Sequence, residues 1–247
     1  FLAPHLAHRE VPLPQPSLCL IATLKDEAVS LLEWIAHNQI IGFTQIAVAS
    51  NDCSDGTDVM LDRLAELGVL RHLRNPPPYT IHRSIQHTAY HRLRQLPEVR
   101  DAEWIMALDV DEFLNIHFGD GTLPELLARH GPEVEGIVVW WRNFGDSGLA
   151  GLPSRPVTDV YTQAVSAQSV IARPNYGQSK QIYRHHARFP FLSAHGGGLN
   201  PATPNMPARR GHLVTPKGRV IDPAVWGNIP VPFDPPFPEP EWEVAQI

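Results

Sequence analysis

Two carboxylates two residues apart, Asp109 and Asp111, are the residues whose types and spacing point most directly to chemistry. They follow the apolar run W-I-M-A-L, which is short, ends in acids and is typical of a buried strand. Open α/β sheets build their binding sites at the carboxyl ends of their strands. Two acids this close repel each other, and a bound cation relieves the repulsion; hard oxygen ligands favour Mg²⁺ or Mn²⁺. A plainer alternative is that Asp111 or Glu112 caps the next helix while Asp109 lies in a solvated turn.

Hydrophobic periodicity predicts the elements that would position these acids. Strands are predicted at 17–23, 45–49, 69–73, 104–108 and 137–141, and helices at 29–41, from 55 or 57 to 67, 84–96 and 123–130. Strands that alternate with helices require a mostly parallel sheet with right-handed crossovers. The predicted fold class is therefore α/β, a mostly parallel twisted sheet flanked by helices. The apolar side of the first helix is predicted to consist of Leu32, Ile35, Ala36 and Ile40.

Proline content suggests the domain organisation of the 247 residues. A Pro-rich extended lead-in is predicted at 1–16 and one domain at 17–200. Eleven of the 25 prolines lie between Pro201 and Pro240, too dense for a helix or a central strand. A tail at 201–247 is therefore predicted to wrap over the domain or to be partly disordered.

Charge, hydropathy and cysteine content narrow the classes of function. The formal net charge of -6 argues against a nucleic-acid-binding surface. No apolar run reaches about 18 residues, so no membrane span is predicted, although peripheral membrane association stays open. Cys19 and Cys53 fall at opposite ends of neighbouring predicted strands, which favours reduced thiols and a cytoplasmic protein. The oligomeric state stays open.

Further polar residues fall at the same predicted edge of the sheet. The segment S-N-D-C-S-D-G-T follows the second strand; its Asn51 could touch a ligand, whereas turns and helix N-caps favour residues such as Asp55 and Thr57. Lys25 follows the first strand and could meet a phosphate as a point charge, or lie in a solvated loop. Gln86 is polar where the third helix meets this edge.

The segment W-W-R-N-F-G-D-S-G after the fifth predicted strand sets aromatic rings beside hydrogen-bonding groups. Sugar rings have apolar faces and polar rims, so this segment suits a sugar-binding wall. Asp146, on a loop with glycines on both sides, is a candidate general base, with a simple turn residue as the competing interpretation. His195 precedes three glycines, which allow the backbone to approach a ligand closely. No P-loop, G-x-G-x-x-G or G-x-S-x-G is present, which weakens kinase, dehydrogenase and serine-hydrolase interpretations.

Taken in order, these motifs resemble the glycosyltransferase family 2 superfamily, which has the GT-A fold, and specifically the branch similar to glycosyltransferase family 92. The resemblance covers roughly residues 17–198 and rests on K-D-E, S-N-D-C-S-D-G-T, W-I-M-A-L-D-V-D-E-F and W-R-N-F-G-D-S-G. Lys180 and His195 match a Lys and a His farther along that branch. Two positions depart from the pattern: Ser50 replaces an Asp that holds the nucleotide base, and Asp26 replaces an Asn.

The resemblance implies a nucleotide-binding Rossmann-like half, an irregular acceptor half, and transfer of a sugar from a nucleotide-sugar to a carbohydrate hydroxyl with inversion. It implies a D-x-D site for Mn²⁺ or Mg²⁺ on Asp109 and Asp111, with His195 as a further ligand, and favours a UDP-sugar over a GDP-sugar. The donor-binding residues that it implies are Thr23, Lys25, Glu27, Asn51, Gln86, Asp109 and Lys180. Those implied for the acceptor are Trp141, Asn143 and Phe144.

The first candidate for the base that takes the acceptor proton is Asp146, and the second candidate is Glu112. One alternative function is a metal-dependent phosphoryl or nucleotidyl transferase, which would need a Gly-rich phosphate loop that A-T-L-K after the first strand does not provide. Another is a catalytically inactive nucleotide- or carbohydrate-binding module. The intact Asp109, Asp111 and His195 argue against such a module.

Overall fold

The computed structural model describes residues 16–79, 81, 84–149, 151, 155–172, 179–185, 191–193, 196–198, 213–221 and 240–247. The strands are β1 Leu18–Leu24, β2 Gln45–Ser50, β3 Arg71–Arg74, β4 Trp104–Ala107, β5 Asn115–Ile116, β6 Gly136–Trp140, β7 Ser179–Arg184, β8 Phe191–Ser193, β9 Gly196–Gly198, β10 Leu213–Val214 and β11 Ala245–Gln246. The helices are α1 Ala28–Ile40, α2 Thr57–Glu66, α3 Ile85–Leu93, α4 Pro97–Arg100, α5 Leu123–Ala128, α6 Val157–Val160 and α7 Ala167–Ala172.

Seven strands form one sheet in the order β10-β6-β7-β4-β1-β2-β3. Strands β4, β1, β2 and β3 run parallel, so their carboxyl ends share one edge. Strand β7 runs antiparallel between β4 and β6. The predicted α/β class with a mostly parallel sheet flanked by helices is confirmed, whereas β7 lies in a region for which no strand was predicted.

The antiparallel direction of β7 matters for the site. Its amino end lies at the edge where β4 ends, and the register that pairs Met106 with Ile182 carries Lys180 beyond the last residue of β4. The β8–β9 pair lies nearby, with β8 against α3 and β9 against β7. One edge of the sheet therefore gathers the ends of β1, β2 and β4 and the start of β7.

The core is divided between the two faces of the sheet. Helices α1 and α2 cover one face through Leu31, Trp34 and Leu61, and α3 covers the other through Ala89 and Leu93. All five side chains are essentially withdrawn from solvent.

The predicted apolar side of α1 is wrong at three of its four positions. Ile35 is buried as predicted, but Leu32 and Ile40 are 56% and 78% exposed and Ala36 is exposed as well. The helix instead turns Trp34 inward, where the indole Nε1 donates a hydrogen bond to the Glu112 carbonyl oxygen at 3.1 Å. Burying the large ring fixes the rotation of the helix, because it removes more apolar area than the smaller side chains could.

Parts of the predicted tail pack against the domain. Strand β10 pairs with β6, β11 pairs with β5, and Trp242 and Val244 are buried. The lead-in at 1–15 and the stretches 199–212 and 222–239 lie outside the described residues, and the domain boundaries stay predictions. None of the helices in the described part of the chain combines the length and the apolar character that crossing a bilayer requires.

Candidate active site

The acids after β4 form a tight turn rather than a helix cap. The Glu112 amide donates to the Asp109 carbonyl at 3.0 Å, and the Asp109 amide donates to Glu112 Oε2 at 2.8 Å. The next helix, α5, begins only at Leu123, so the helix-cap alternative is wrong. The three acids of this turn differ in exposure: Asp111 is exposed, Asp109 is half-buried and Glu112 is 9% exposed.

Helix α1 holds this turn from behind. Besides the bond from Trp34, the His37 Nε2 atom donates to the carbonyl oxygen of Leu114 at 2.8 Å. The backbone on both sides of Phe113 is thereby attached to one helix, and the His37 ring packs edge-on against the Phe113 ring. These contacts limit the freedom of the turn that carries the acids.

Lys180 is the buried cation of the cluster. Its Nζ atom lies 3.0 Å from Asp109 Oδ2 and 2.9 Å from Glu112 Oε2, and its side chain is fully withdrawn from solvent. Nζ also lies 5.7 Å from the centre of the Trp141 ring, within the range of a cation–π interaction. A buried ammonium group requires such partners, since an unpaired charge in the interior is very costly.

Burial dominates the electrostatics of Glu112. Loss of solvent is the main reason that its pKa rises from the ordinary 4.5 to about 7. The charge of Lys180 lowers the pKa, and the charge of Asp109 raises it. The desolvation penalty therefore exceeds the benefit of the Lys180 ion pair. Glu112 can gain or lose a proton close to neutral pH.

The loop after β1 shares the electrostatic environment of the turn after β4. Glu27 is half-buried, and its pKa is raised first by burial and then by the charges of Asp111, Asp55 and Asp109. Lys25 is exposed beside it. The sequence prediction that Glu27 and the D-x-D pair lie at one edge of the sheet thus agrees with the structure.

The loop after β2 is occupied largely by structural contacts. The Asp55 carboxylate accepts from the amides of Thr57 at 2.9 Å and Ala28 at 3.0 Å, and the Thr57 hydroxyl oxygen accepts from the Glu27 amide at 2.8 Å. These bonds join the starts of α1 and α2, as expected for turn and cap residues. Asn51 is 5% exposed, and its side-chain amide donates to the main-chain carbonyl oxygen of Asn75 at 2.8 Å.

Sequence reasoning missed Tyr90, a residue of α3 one helical turn beyond Gln86. Its ring is buried, and its hydroxyl lies beside Thr23 and Gln86 without a hydrogen bond of normal geometry to either. Burial, followed by the charge of Asp109, raises its pKa. The spacing of Gln86 and Tyr90, four residues apart on a helix that meets this edge, could have indicated it.

The predicted acceptor loop continues from the same cluster. Trp141 is half-buried above Lys180, Asn143 accepts a backbone hydrogen bond from Val165, and Phe144 is 45% exposed. Asp146 is exposed, and its Oδ1 accepts from the Gly148 amide at 2.9 Å, the pattern of a turn residue.

The donor set suits a hard divalent ion. The Asp111 carboxylate and the Asp109 oxygen that Lys180 does not contact are the available hard ligands, and Mg²⁺-type ions are often held by one or two carboxylates plus phosphate oxygens and water. Within the described ranges, no three His, Cys, Asp or Glu side chains form a complete metal-binding group. His195, the predicted further ligand, lies outside the described residues.

Comparison with curated proteins points to one family. The chain is 29% identical over 167 residues, 64% of its length, to a glycosyltransferase family 92 protein of Oryza sativa subsp. japonica. It is 28% identical over 149 residues, 59% of its length, to a family 92 protein of Ricinus communis. The chain spans 27% and 26% of those relatives. The predicted resemblance to family 92 is confirmed by these relatives, while no family model matches the chain.

Among solved structures, the chain is similar to S. aureus TarS, with a TM-score of 0.40 and 13% identity over 68% of this chain and 28% of that one. It is also similar to TarS 1–349 in complex with UDP, with a TM-score of 0.38 and 14% identity over 68% of this chain and 46% of that one.

Proposed function

We propose that this protein is a glycosyltransferase that moves a sugar from a nucleotide-sugar, preferably a UDP-sugar, to a hydroxyl group of a carbohydrate acceptor. The observation that carries the proposal is the acid turn after β4, in which Asp109 and Glu112 share the buried Lys180 while Asp111 faces solvent. Such a turn combines a fixed carboxylate with an accessible one at the edge where α/β sheets bind ligands. The names of the curated relatives support the same activity.

On the donor side, Asp109 and Asp111 would hold Mn²⁺ or Mg²⁺, which when bound stabilises the charge that the diphosphate gains on leaving. Lys180 fixes the Asp109 carboxylate, so the ligand is positioned before the donor binds. Lys25, exposed at the end of β1, adds a positive charge for the diphosphate. Thr23, Glu27, Asn51 and Gln86 complete the proposed donor site, with His195 as the proposed further ligand.

On the acceptor side, Trp141, Asn143 and Phe144 form the proposed sugar-binding wall. In an inverting step, the acceptor oxygen attacks the anomeric carbon as the bond from that carbon to the diphosphate breaks. The acceptor proton passes to a carboxylate on the opposite face of the sugar. Asp146 is the first candidate because it is exposed on this loop, and Glu112 is the second because its pKa lies near 7.

The proposal is tested by titrating the protein with UDP in the presence and absence of Mn²⁺, followed by assays of UDP release from UDP-sugars with carbohydrate acceptors. Asp111→Asn should abolish Mn²⁺-dependent UDP binding and sugar transfer. Asp101→Asn is the matched control, because Asp101 is an exposed acid before β4, at the opposite edge of the sheet. Both variants should unfold at the wild-type temperature.

Three outcomes would count against the proposal. Unchanged Mn²⁺-dependent UDP binding in Asp111→Asn would refute the metal site proposed on this residue. Failure of the wild type to bind any nucleoside diphosphate would refute the proposed donor site. Binding without UDP release from any donor would indicate an inactive binding module.

A further inference from the structure

The carboxylate of Glu33, a residue of α1, is bonded to the start of α6, 124 residues farther along the chain. Its Oε2 atom accepts from the Val157 amide at 2.8 Å. Its Oε1 atom accepts from the Thr158 amide at 3.1 Å and from the Thr158 hydroxyl at 3.0 Å. Because Glu33 is half-buried, these bonds are partly shielded from water. Both carboxylate oxygens are thus engaged by one short helix.

Helix α6 cannot cap its own first turn. The residue before it is Pro156, which has no side-chain oxygen and makes no cap hydrogen bond. The first amides of a helix have no partner within the helix, and a Ser, Thr, Asp or Asn at the N-cap position usually provides one. Glu33 provides the acceptors from another element instead. None of the residues of α6 is buried, so burial of apolar side chains contributes little to holding this helix in place.

The segment that follows α6 supports the predicted acceptor loop, residues 141–148. The Gly145 amide donates to the Gln163 carbonyl oxygen at 2.8 Å, and the Val165 amide donates to the Asn143 carbonyl oxygen at 3.0 Å. The acceptor loop and this segment therefore form one hydrogen-bonded unit. Since α6 directly precedes the segment in the chain, the bonds from Glu33 attach that unit to α1.

The residue next to Glu33 holds the other half of the proposed site. The Trp34 indole donates to the Glu112 carbonyl oxygen in the acid turn, so two consecutive residues of α1 bind the acid turn and α6. Sugar transfer needs the reacting atoms about 3–3.5 Å apart, and a misplacement of about 1 Å can cost about 10²-fold in rate. Helix α1 is the element that relates the acid turn to the acceptor loop.

Resting on the proposed function, we propose that Glu33 is a positioning residue for the acceptor. By holding the start of α6, it fixes the acceptor loop at the distance from the acid turn that sugar transfer requires. Both of its carboxylate oxygens are bonded to α6, so Glu33 acts through the loop and not by contact with the acceptor. Its loss releases the acceptor loop, whereas Trp34 still holds the turn that carries Asp109 and Asp111. Donor and acceptor therefore respond differently to one substitution.

The experiment compares Glu33→Ala and Glu33→Gln with the wild type. It uses UDP titration with Mn²⁺ and steady-state transfer from UDP-glucose or UDP-galactose to lactose, maltose or cellobiose. Glu33→Ala should lower kcat/KM for the acceptor by about 10- to 100-fold and change the dissociation constant of UDP by less than about twofold. Glu33→Gln keeps one acceptor oxygen and should give an intermediate kcat/KM. Glu66→Ala is the matched control and should keep wild-type values, because Glu66 is an exposed helical acid that pairs with Arg63 on its own helix.

Val157→Pro tests the same contact from the side of α6. It removes one amide that bonds Glu33, and proline suits the first position of a helix when the residue before it is extended, as Pro156 is with ψ of 140°. This variant should also lower kcat/KM for the acceptor at unchanged UDP affinity. The double variant Glu33→Ala/Val157→Pro should lose little more than Glu33→Ala alone, because both changes remove one contact.

Hydrogen exchange provides a readout that does not depend on the acceptor. The Thr158 amide should exchange at least about tenfold faster in Glu33→Ala, while the Ile21 amide of β1 keeps its wild-type rate. This inference would be overturned by a wild-type exchange rate at Thr158, by a wild-type acceptor kcat/KM in Glu33→Ala, or by UDP affinity lost in proportion to transfer. Each of these results leaves the transferase proposal standing. A wild type that transfers no sugar would overturn both.

Discussion

The Nζ atom of Lys180 lies 2.9 Å from Oε2 of Glu112, and both side chains are almost completely withdrawn from solvent. Glu112, the acid that follows the D-x-D pair, is thus paired with a lysine of β7. Because Lys180 also contacts Asp109, one cation sets the position of two carboxylates. The charge state of this pair is therefore accessible to experiment by mutation and by pH.

Lys180→Met should lower the free energy of unfolding by about 3–5 kcal/mol at pH 8, because it leaves Glu112 buried without its cation. At pH 5.5 the loss should be smaller, since Glu112 then carries a proton. Urea denaturation at the two pH values measures both losses. Lys217→Met removes an exposed partner of Glu243 and should cost less than about 1 kcal/mol at either pH. Equal losses for the two variants would contradict the role assigned to Lys180.

Glu112 should make the protein less stable as pH rises. Its folded-state pKa, about 7, lies above its ordinary value of 4.5, so the folded protein binds more protons between these values. The free energy of unfolding then falls as pH rises from about 4.5 to 7, by about 3 kcal/mol at most. The Glu112→Gln variant should lack this pH-dependent contribution to the free energy of unfolding. The difference in free energy of unfolding between wild type and variant should therefore change between about pH 4.5 and 7, and a constant difference would contradict the raised pKa of Glu112.

Asp146→Asn should lower turnover by about 10²- to 10⁴-fold with little change in UDP affinity, if Asp146 takes the acceptor proton. Steady-state rates and UDP titration separate the two effects. Asp159→Asn, an exposed acid of α6, provides the control. Near-full activity in Asp146→Asn would assign the proton transfer to Glu112 or another acid, and Asp146 would then be a turn residue.

Two neighbouring leucines test the rotation of α1. Leu31 is fully buried and Leu32 is 56% exposed. Leu31→Ala should lower the free energy of unfolding by about 2–5 kcal/mol, as expected for a core leucine, whereas Leu32→Ala should change it by less than about 0.5 kcal/mol. Urea denaturation of the two variants gives the comparison. The reverse order would restore the helix face predicted from the sequence.

The parallel part of the sheet could be predicted because β1, β2 and β4 are short apolar runs with acids or small polar residues after them. The same pattern predicted that Glu27 and Asp109 meet at one edge. Strand β7 could not be found in this way, because Lys180 and Gln181 are polar and yet fully buried. A strand of this kind has no apolar alternation, so periodicity does not indicate it.

The prediction of the buried face of α1 failed for a different reason. Leu32, Ala36 and Ile40 have a helical spacing as good as that of the residues actually buried. What decides the rotation is a tertiary contact, between Trp34 and the Glu112 carbonyl, that no local pattern contains. The side-chain hydrogen bonds that join His72 to Ser50 and to Asp62 could not be predicted either, because the three residues lie on three different elements, β2, β3 and α2.

The late position of β7 in the chain has a consequence for synthesis. The ribosome delivers β4 and β6 before β7, and until β7 inserts between them both strands present unpaired backbone edges that can join other chains. The same insertion brings Lys180 to the acids. A nascent chain shorter than this point has its carboxylates without their cation. Insertion of β7 into the sheet and pairing of the acids with Lys180 therefore coincide in a single maturation step.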